Sequence, residues 1–356
     1  MYTNFEMMFP HNDKCFNGMS YIRDGTPYIY MNDKYIPAQI KFKPDKKMPE
    51  NVLSNGLRDY FGHFNYCDDE IAKATYNKPE DTFLVRSGSN AFVITVLYLI
   101  ANGFNIRVDK NAYFEQRYLI EYLIRDDVYG FDKVPDVDKV AYVCSPICID
   151  GERRDIKEMA KEAHSRGGVL VVDNTYLTST QYNPFTDDAD IVIDSLGKYY
   201  TSDYGITSGL LVFGQRVRNP WIIDMLCMIT CSFADKQTKI AVKDGLRGIA
   251  DKLSTIQKNA KIVNSYLRQH GVVTKFPGIG GLIWIYNINV MCHNDFKFIQ
   301  PNDAFGLSHT VYTIYTEEEA GVSQFVLRVS CGVEDPKEYI SDLQTICHHT
   351  TRVLLS

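Results

Sequence analysis

The sequence contains no uninterrupted apolar stretch close to the roughly 20 residues that a membrane-spanning helix requires. Its first residues, Met1 to Glu6, also lack a basic segment ahead of an apolar one, so a cytoplasmic address is the expectation. Positive charge is in deficit: 38 Lys and Arg stand against 44 Asp and Glu, a net charge of −6. That balance removes the basis for a non-specific hold on nucleic acid or on an anionic membrane. Nine cysteines are too scattered for a disulfide framework, and the pairs Cys144/Cys148 and Cys227/Cys231 have no second cysteine or histidine pair at zinc spacing. They read as reduced core thiols. No Gly-x-Gly-x-x-Gly follows a strand, and Gly197-Lys198-Tyr199 lacks both the upstream glycine and the hydroxyl of a phosphate loop. Dinucleotide and phosphate-loop nucleotide sites are thereby excluded.

What remains is an ordinary core-forming chain of 356 residues, 45% hydrophobic and 23% charged, long enough for two domains. Val140–Cys144, Val169–Asp173, Ala189–Ile193 and Gly209–Phe213 read as buried strands, because apolar residues run without alternation. Between the first two, residues 155–166 place Ile156, Met159, Ala160 and Ala163 on one helical face, ended by Gly167-Gly168. Strand, helix and strand in this order predict a mainly parallel α/β sheet with helices on both faces. Residues 236–268 read as helical, and the runs Gly280–Tyr286 and Gln324–Ser330 as strands of a smaller α+β domain. The expected organisation is an N-terminal segment 1–55, a large domain 56–240 and a small C-terminal domain 241–356.

Four features give the chain its chemistry. Lys198, in Asp194-Ser-Leu-Gly-Lys-Tyr-Tyr200, follows a strand and supplies an amine. Asp173 ends a buried strand, where a carboxylate needs a cationic partner such as a protonated pyridine nitrogen. Ser87, Gly88 and Ser89 precede an apolar helix, whose N-terminal amides and hydroxyls can cradle a phosphate. Arg328 sits in an otherwise apolar strand, where a guanidinium calls for a carboxylate. An amine for an aldehyde, an acid for a ring nitrogen, a phosphate cup and an arginine for an α-carboxylate together describe a pyridoxal 5'-phosphate (PLP) site.

Beyond these residues, "GGVLVVDNTYLTSTQYNPFTDDADIVIDSLGKYYTSDYGITSGLLVF", "KIVNSYLRQHGVVTKFPGIGGLIWIYNI" and "LRVSCGVEDPKEYISDL" make roughly residues 55 to 345 resemble the Cys/Met-metabolism family of PLP enzymes. That family includes cystathionine lyases and synthases and methionine γ-lyase. The resemblance implies a fold-type-I PLP-dependent transferase architecture with a mainly parallel seven-stranded sheet. It further implies that Lys198 holds the cofactor as a Schiff base and moves protons, and that Asp173 keeps the pyridine nitrogen protonated. Gly88, Ser89 and Ser195 would bind the phosphate, and Arg328 the substrate carboxylate. Tyr113 would stack on the ring and act as an acid at the leaving group. Fold-type-I sites form between subunits, so a homodimer or tetramer is implied, with a small amino acid as substrate.

The family pattern is not matched throughout, and the cofactor machinery is retained more fully than the substrate machinery. Gly197 stands where a phosphate-binding threonine is usual, Phe114-Glu115 where two glycines follow the tyrosine, and Cys148 where an asparagine lies beside the cofactor. The Tyr-x-Arg motif reaching a neighbouring subunit's phosphate is at best distorted in Arg58-Asp-Tyr60. Arg86 either replaces that arginine or pairs with an acid nearby. Elimination or replacement at Cβ or Cγ of a sulfur-containing amino acid is the leading expectation. α-Decarboxylation or transamination in a specialised pathway comes next, and a non-catalytic binding or regulatory role last.

Overall fold

The structure is a computed structural model and describes residues 20–23, 26–31, 34–37, 69–78, 81–124, 139–217, 220–286, 295–302, 304–315 and 325–353. Among these, no helix is long and apolar enough to cross a membrane, and no group of His, Cys, Asp and Glu could hold a metal ion. Arg58 and Tyr60 lie outside the described residues.

Three short strands, β1 (Ser20–Arg23), β2 (Thr26–Met31) and β3 (Lys34–Pro37), form an antiparallel sheet of their own. The main sheet contains β4 (Thr82–Val85), β5 (Asn105–Val108), β6 (Val140–Cys144), β7 (Val169–Asp173), β8 (Ile191–Asp194) and β9 (Gly209–Phe213). Their order is β4-β9-β8-β7-β6-β5. Strands β5 to β8 pair in parallel, and β9 runs antiparallel to both neighbours. The described sheet thus has six strands where the resemblance implies seven; residues 125–138, which follow the helix after β5, are outside the description.

Side-chain alternation explains why these strands read as unbroken apolar runs. Tyr142, Leu170 and Val172 enter one core beneath the helix Ile156–Ser165, whose Asp155 caps it by accepting from Glu158 N. Ala141, Val143, Val169 and Val171 enter the opposite core, packed by Phe92, Ile94 and Leu99 of the helix Gly88–Ala101. A strand covered on both faces cannot alternate polar and apolar residues.

The second sheet is formed by β10 (Val273–Lys275), β11 (Leu282–Tyr286), β12 (Gln300–Pro301), β13 (Val311–Tyr315) and β14 (Val326–Ser330), in the order β10-β11-β14-β13-β12. The single helical stretch expected over 236–268 is two helices, Lys236–Leu246 and Ile249–Gln269. Gly248 separates them at φ +82°, a left-handed conformation that few other residues adopt without strain. The longer helix serves both sheets: Leu253 and Ile256 join the core shared with β7, whereas Ala260, Val263 and Leu267 join that of the second sheet. Trp284 anchors the joint by donating from Nε1 to the Ile149 carbonyl at 2.6 Å, and the Tyr286 hydroxyl donates to the Asp150 carbonyl.

Candidate active site

Parallel strands expose unpaired backbone and loops at their C-terminal ends, where an α/β sheet collects ligands. Asp173 closes β7 and Asp194 closes β8; Lys198 follows on the short helix Leu196–Tyr199. The helix Gly88–Ala101 begins beside them, because β4 and β8 flank β9. This convergence brings Gly88 against Ser195: a Cβ at residue 88 would lie 2.6 Å from the Ser195 Cβ. Only glycine allows the helix N-terminus to approach that serine so closely.

Each serine of the predicted phosphate cup is in a different position. Ser87 Oγ accepts from Asn90 N at 3.0 Å and donates to Asn90 Oδ1 at 3.2 Å, so its hydroxyl caps the helix. Ser89 lies on the surface and donates to Glu115 Oε2 at 3.5 Å. Ser195 donates its backbone N–H to Thr175 Oγ1 at 2.9 Å and keeps its side chain facing Gly88. Arg86 points elsewhere: its Nε donates to the Phe233 carbonyl at 3.3 Å, and its charge helps to depress the Asp235 carboxyl, whose main stabiliser is the Thr238 backbone N–H. Of the two readings of Arg86, this position favours the one in which its charge serves a nearby acid, Asp235.

Asp173 is held by neutral donors. Thr175 donates to Oδ1 from its backbone N at 3.0 Å and its hydroxyl at 2.5 Å, while Gln116 donates from Nε2 to Oδ2 at 2.5 Å. Burial raises the Asp173 pKa; these hydrogen bonds and the Lys198 charge restrain the rise. Asp194 is fully buried, and its pKa is pushed well above the ordinary range by burial and by the nearby Asp173. The Tyr76 hydroxyl donates to Asp194 Oδ2 at 3.1 Å and itself accepts from Asn174 Nδ2 at 2.9 Å.

The lysine and the arginine share an aromatic partner. Lys198 Nζ and Arg328 Cζ each lie 5.3 Å from the Phe305 ring centroid. Arg328, 1% exposed, donates from Nη2 to Thr313 Oγ1 at 2.8 Å and to the Ala304 carbonyl at 3.2 Å, and from Nη1 to the Tyr315 hydroxyl. Burial opposes its charge, and the phenols of Tyr315 and Tyr176 more than offset that cost. Tyr113 is partly buried, with its ring 4.7 Å from that of Phe114. Burial raises its phenol pKa, and the Glu115 carboxylate raises it further. Cys148, at the asparagine's place, is buried with its thiol 4.0 Å from Asp109 Oδ2.

Sequence reasoning did not single out Gln116, Thr175, Tyr176, Phe305 or Tyr315. Gln116 and Thr175 lie within three residues of predicted site residues, and that proximity was the available signal. Tyr315 meets Arg328 only through the pairing of β13 with β14, and Phe305 comes from the segment before β13.

Residues 66–280 match the sequence profile of the family described as "Cys/Met metabolism PLP-dependent enzyme". The chain belongs to this family. Chloroplastic mimosinase from Mimosa pudica is 23% identical over 225 residues, covering 54% of this chain and 51% of the relative. Cystathionine γ-lyase from Dictyostelium discoideum is 23% identical over 74% of this chain and 76% of its own. L-Methionine γ-lyase from Fusobacterium nucleatum subsp. polymorphum is 23% identical over 76% and 80%. The chain therefore spans about half of the mimosinase and at least three-quarters of the two lyases. In structure it is similar to cystathionine γ-lyase from Lactobacillus plantarum in complex with L-serine, with a TM-score of 0.69, 19% identity, and 79% and 84% of the two chains covered. The O-acetylhomoserine (thiol)-lyase from Campylobacter jejuni, solved with a pyridoxyl-lysine phosphate, gives a TM-score of 0.66 at 17% identity, over 78% and 84%. The fold is that of fold-type-I PLP enzymes.

The residues of this PLP-dependent family member fit its cofactor. Gly88 and Ser195 leave a cradle that a Cβ would fill, Lys198 offers an amine, and the Asp173 carboxylate, whose charge burial disfavours, gains from a cationic ring nitrogen.

Proposed function

We propose that the protein catalyses elimination or replacement at Cβ or Cγ of a sulfur-containing or similarly activated amino acid. The observation that carries this reading is the shared aromatic partner: the amine of Lys198 and the guanidinium of Arg328 each lie 5.3 Å from the centroid of one ring, Phe305. An amino acid whose carboxylate meets Arg328 thereby presents its Cα toward Lys198. Bound PLP supplies an electron sink for the pair released at Cα. Asp173 would hold the ring nitrogen's proton, Lys198 would carry the cofactor and move protons at Cα, and Gly88, Ser89 and Ser195 would bind the phosphate. Ser87 supports that cup chiefly as its helix cap. Tyr113 would stack on the ring, and its raised pKa keeps its phenol protonated, ready to donate to the leaving group. Phe305 and Tyr176, with ring centroids 4.8 Å apart, keep water from the reacting atoms.

One observation favours a second reading. Arg328 already donates to Tyr315, Thr313 and Ala304, so a carboxylate must compete for it, and a loosely held carboxylate is the one lost as carbon dioxide. Incubating the PLP-loaded protein with candidate amino acids and measuring ketoacid, ammonia, thiol and carbon dioxide separates the two. Ketoacid with ammonia or thiol supports elimination; carbon dioxide without ketoacid overturns it. The working unit in this reading is a cytoplasmic homodimer or tetramer, with domains 56–240 and 241–356 preceded by the segment 1–55.

A further inference from the structure

Gln116 is 4% exposed and uses its amide nitrogen on Asp173, while its Oε1 has no hydrogen-bond partner among the described residues. A buried acceptor left without a partner costs free energy, and the bond from Nε2 to a charged carboxylate is what offsets it. Its backbone N–H donates to the Tyr113 carbonyl at 3.0 Å, so one turn of chain fixes Gln116 relative to the stacking tyrosine.

The carboxylate it holds has a rival. Asp173 pairs in register with Ile193, the residue before Asp194, so two acids end adjacent strands, Asp194 fully buried and Asp173 partly so. Such acids disfavour each other's ionisation. Donors divide between them unequally. Asp173 accepts three hydrogen bonds from Thr175 and Gln116, whereas Asp194 accepts one from Tyr76, and its Oδ1 has no partner among the described residues. Donors stabilise the ionised form, and this asymmetry keeps the charge of the pair at Asp173.

We propose that Gln116 is a positioning residue: it fixes the ionised carboxylate of Asp173 for the cofactor's ring nitrogen, and Asp194 remains a neutral acid behind it. The inference rests on PLP being the ligand. The structure favours a lock from Gln116 because Thr175 engages only Oδ1, leaving the second oxygen to Gln116 alone among the hydrogen bonds described.

The test measures binding of PLP and of its carbon analogue, in which a C–H replaces the ring nitrogen, by absorbance and fluorescence titration of the full chain. Gln116→Met, which keeps length without a donor, is expected to weaken PLP about tenfold while leaving the analogue within about twofold, the scale of one hydrogen bond to a charged group. Gln116→Glu, which sets another acid against Asp173, is expected to lose the same selectivity, and Asp194→Asn to retain it. Equal loss of both ligands in a folded Gln116 variant, or unchanged selectivity, overturns the role of Gln116. A large loss of selectivity in Asp194→Asn overturns the neutral acid. Wild-type protein that binds neither ligand overturns the cofactor reading itself, an outcome distinct from the others because there the parent protein binds.

Discussion

At the scale of single residues, Gly197 and Asp194 carry the clearest consequences. A Cβ at residue 197 would meet Thr207 Cα at 3.4 Å and no atom closer, an ordinary contact. Gly197→Ser is therefore expected to fold normally and, by returning a hydroxyl beside the cup, to tighten PLP binding about three- to tenfold, one net hydrogen bond. Unchanged or weaker affinity in a titration would show that this position does not face the phosphate. Asp194 carries a pH signature. Its folded pKa is raised by burial, so the folded chain keeps a proton that the unfolded chain releases near pH 4. Stability from that proton is full below pH 4 and is lost as pH rises toward the folded value. Relative to the parent, Asp194→Asn should gain thermal stability progressively above about pH 4, until the folded pKa is passed. A difference in melting temperature that stays constant with pH would contradict the raised pKa.

Among secondary-structure elements, the buried strands were the most legible. Val140–Cys144, Val169–Asp173 and Gly209–Phe213 are read from sequence with their observed bounds, because an apolar run covered on both faces has sharp polar ends. Helix breaks were less so: Gly248 lies in a polar, helix-favouring stretch, and its left-handed conformation has no signature in the periodicity. The site divided in the same way. Lys198, Asp173 and the glycine-serine turn lie at element ends and announce themselves, whereas Tyr315 meets Arg328 only when β13 and β14 pair, and Phe305 comes from the segment before β13. Ser87 illustrates a role that sequence left ambiguous. Its hydroxyl caps the helix Gly88–Ala101, so Ser87→Ala should lower stability by about 1 kcal/mol in chemical denaturation. Its effect on PLP affinity should be smaller than that of Ser195→Ala; the reverse order would return Ser87 to the phosphate.

Across the whole molecule, the two sheets are fastened together around the site. Lys252, from the long helix, donates to the Tyr199 carbonyl at 3.2 Å and to Asp203 Oδ2 at 2.7 Å, and Asp203 also accepts from the backbone and hydroxyl of Ser308. Burial works against the Asp203 carboxylate, but the Lys252 and Ser308 hydrogen bonds outweigh it and lower its pKa. The loop behind Lys198 is thus tied to the segment that delivers Phe305. Trp284, fully buried against Gly151 and the Ile149 carbonyl, adds an apolar hinge to the same joint. The chemistry on the first sheet and the aromatic wall from the second therefore depend on one interface, and the account as a whole depends on the amine held there. The most direct test is to load the protein with PLP, reduce it with borohydride and locate the pyridoxyl mass by peptide mass spectrometry. A single labelled peptide carrying Lys198 is expected; a label on another lysine, or none, would rule out Lys198 as the amine that holds the cofactor.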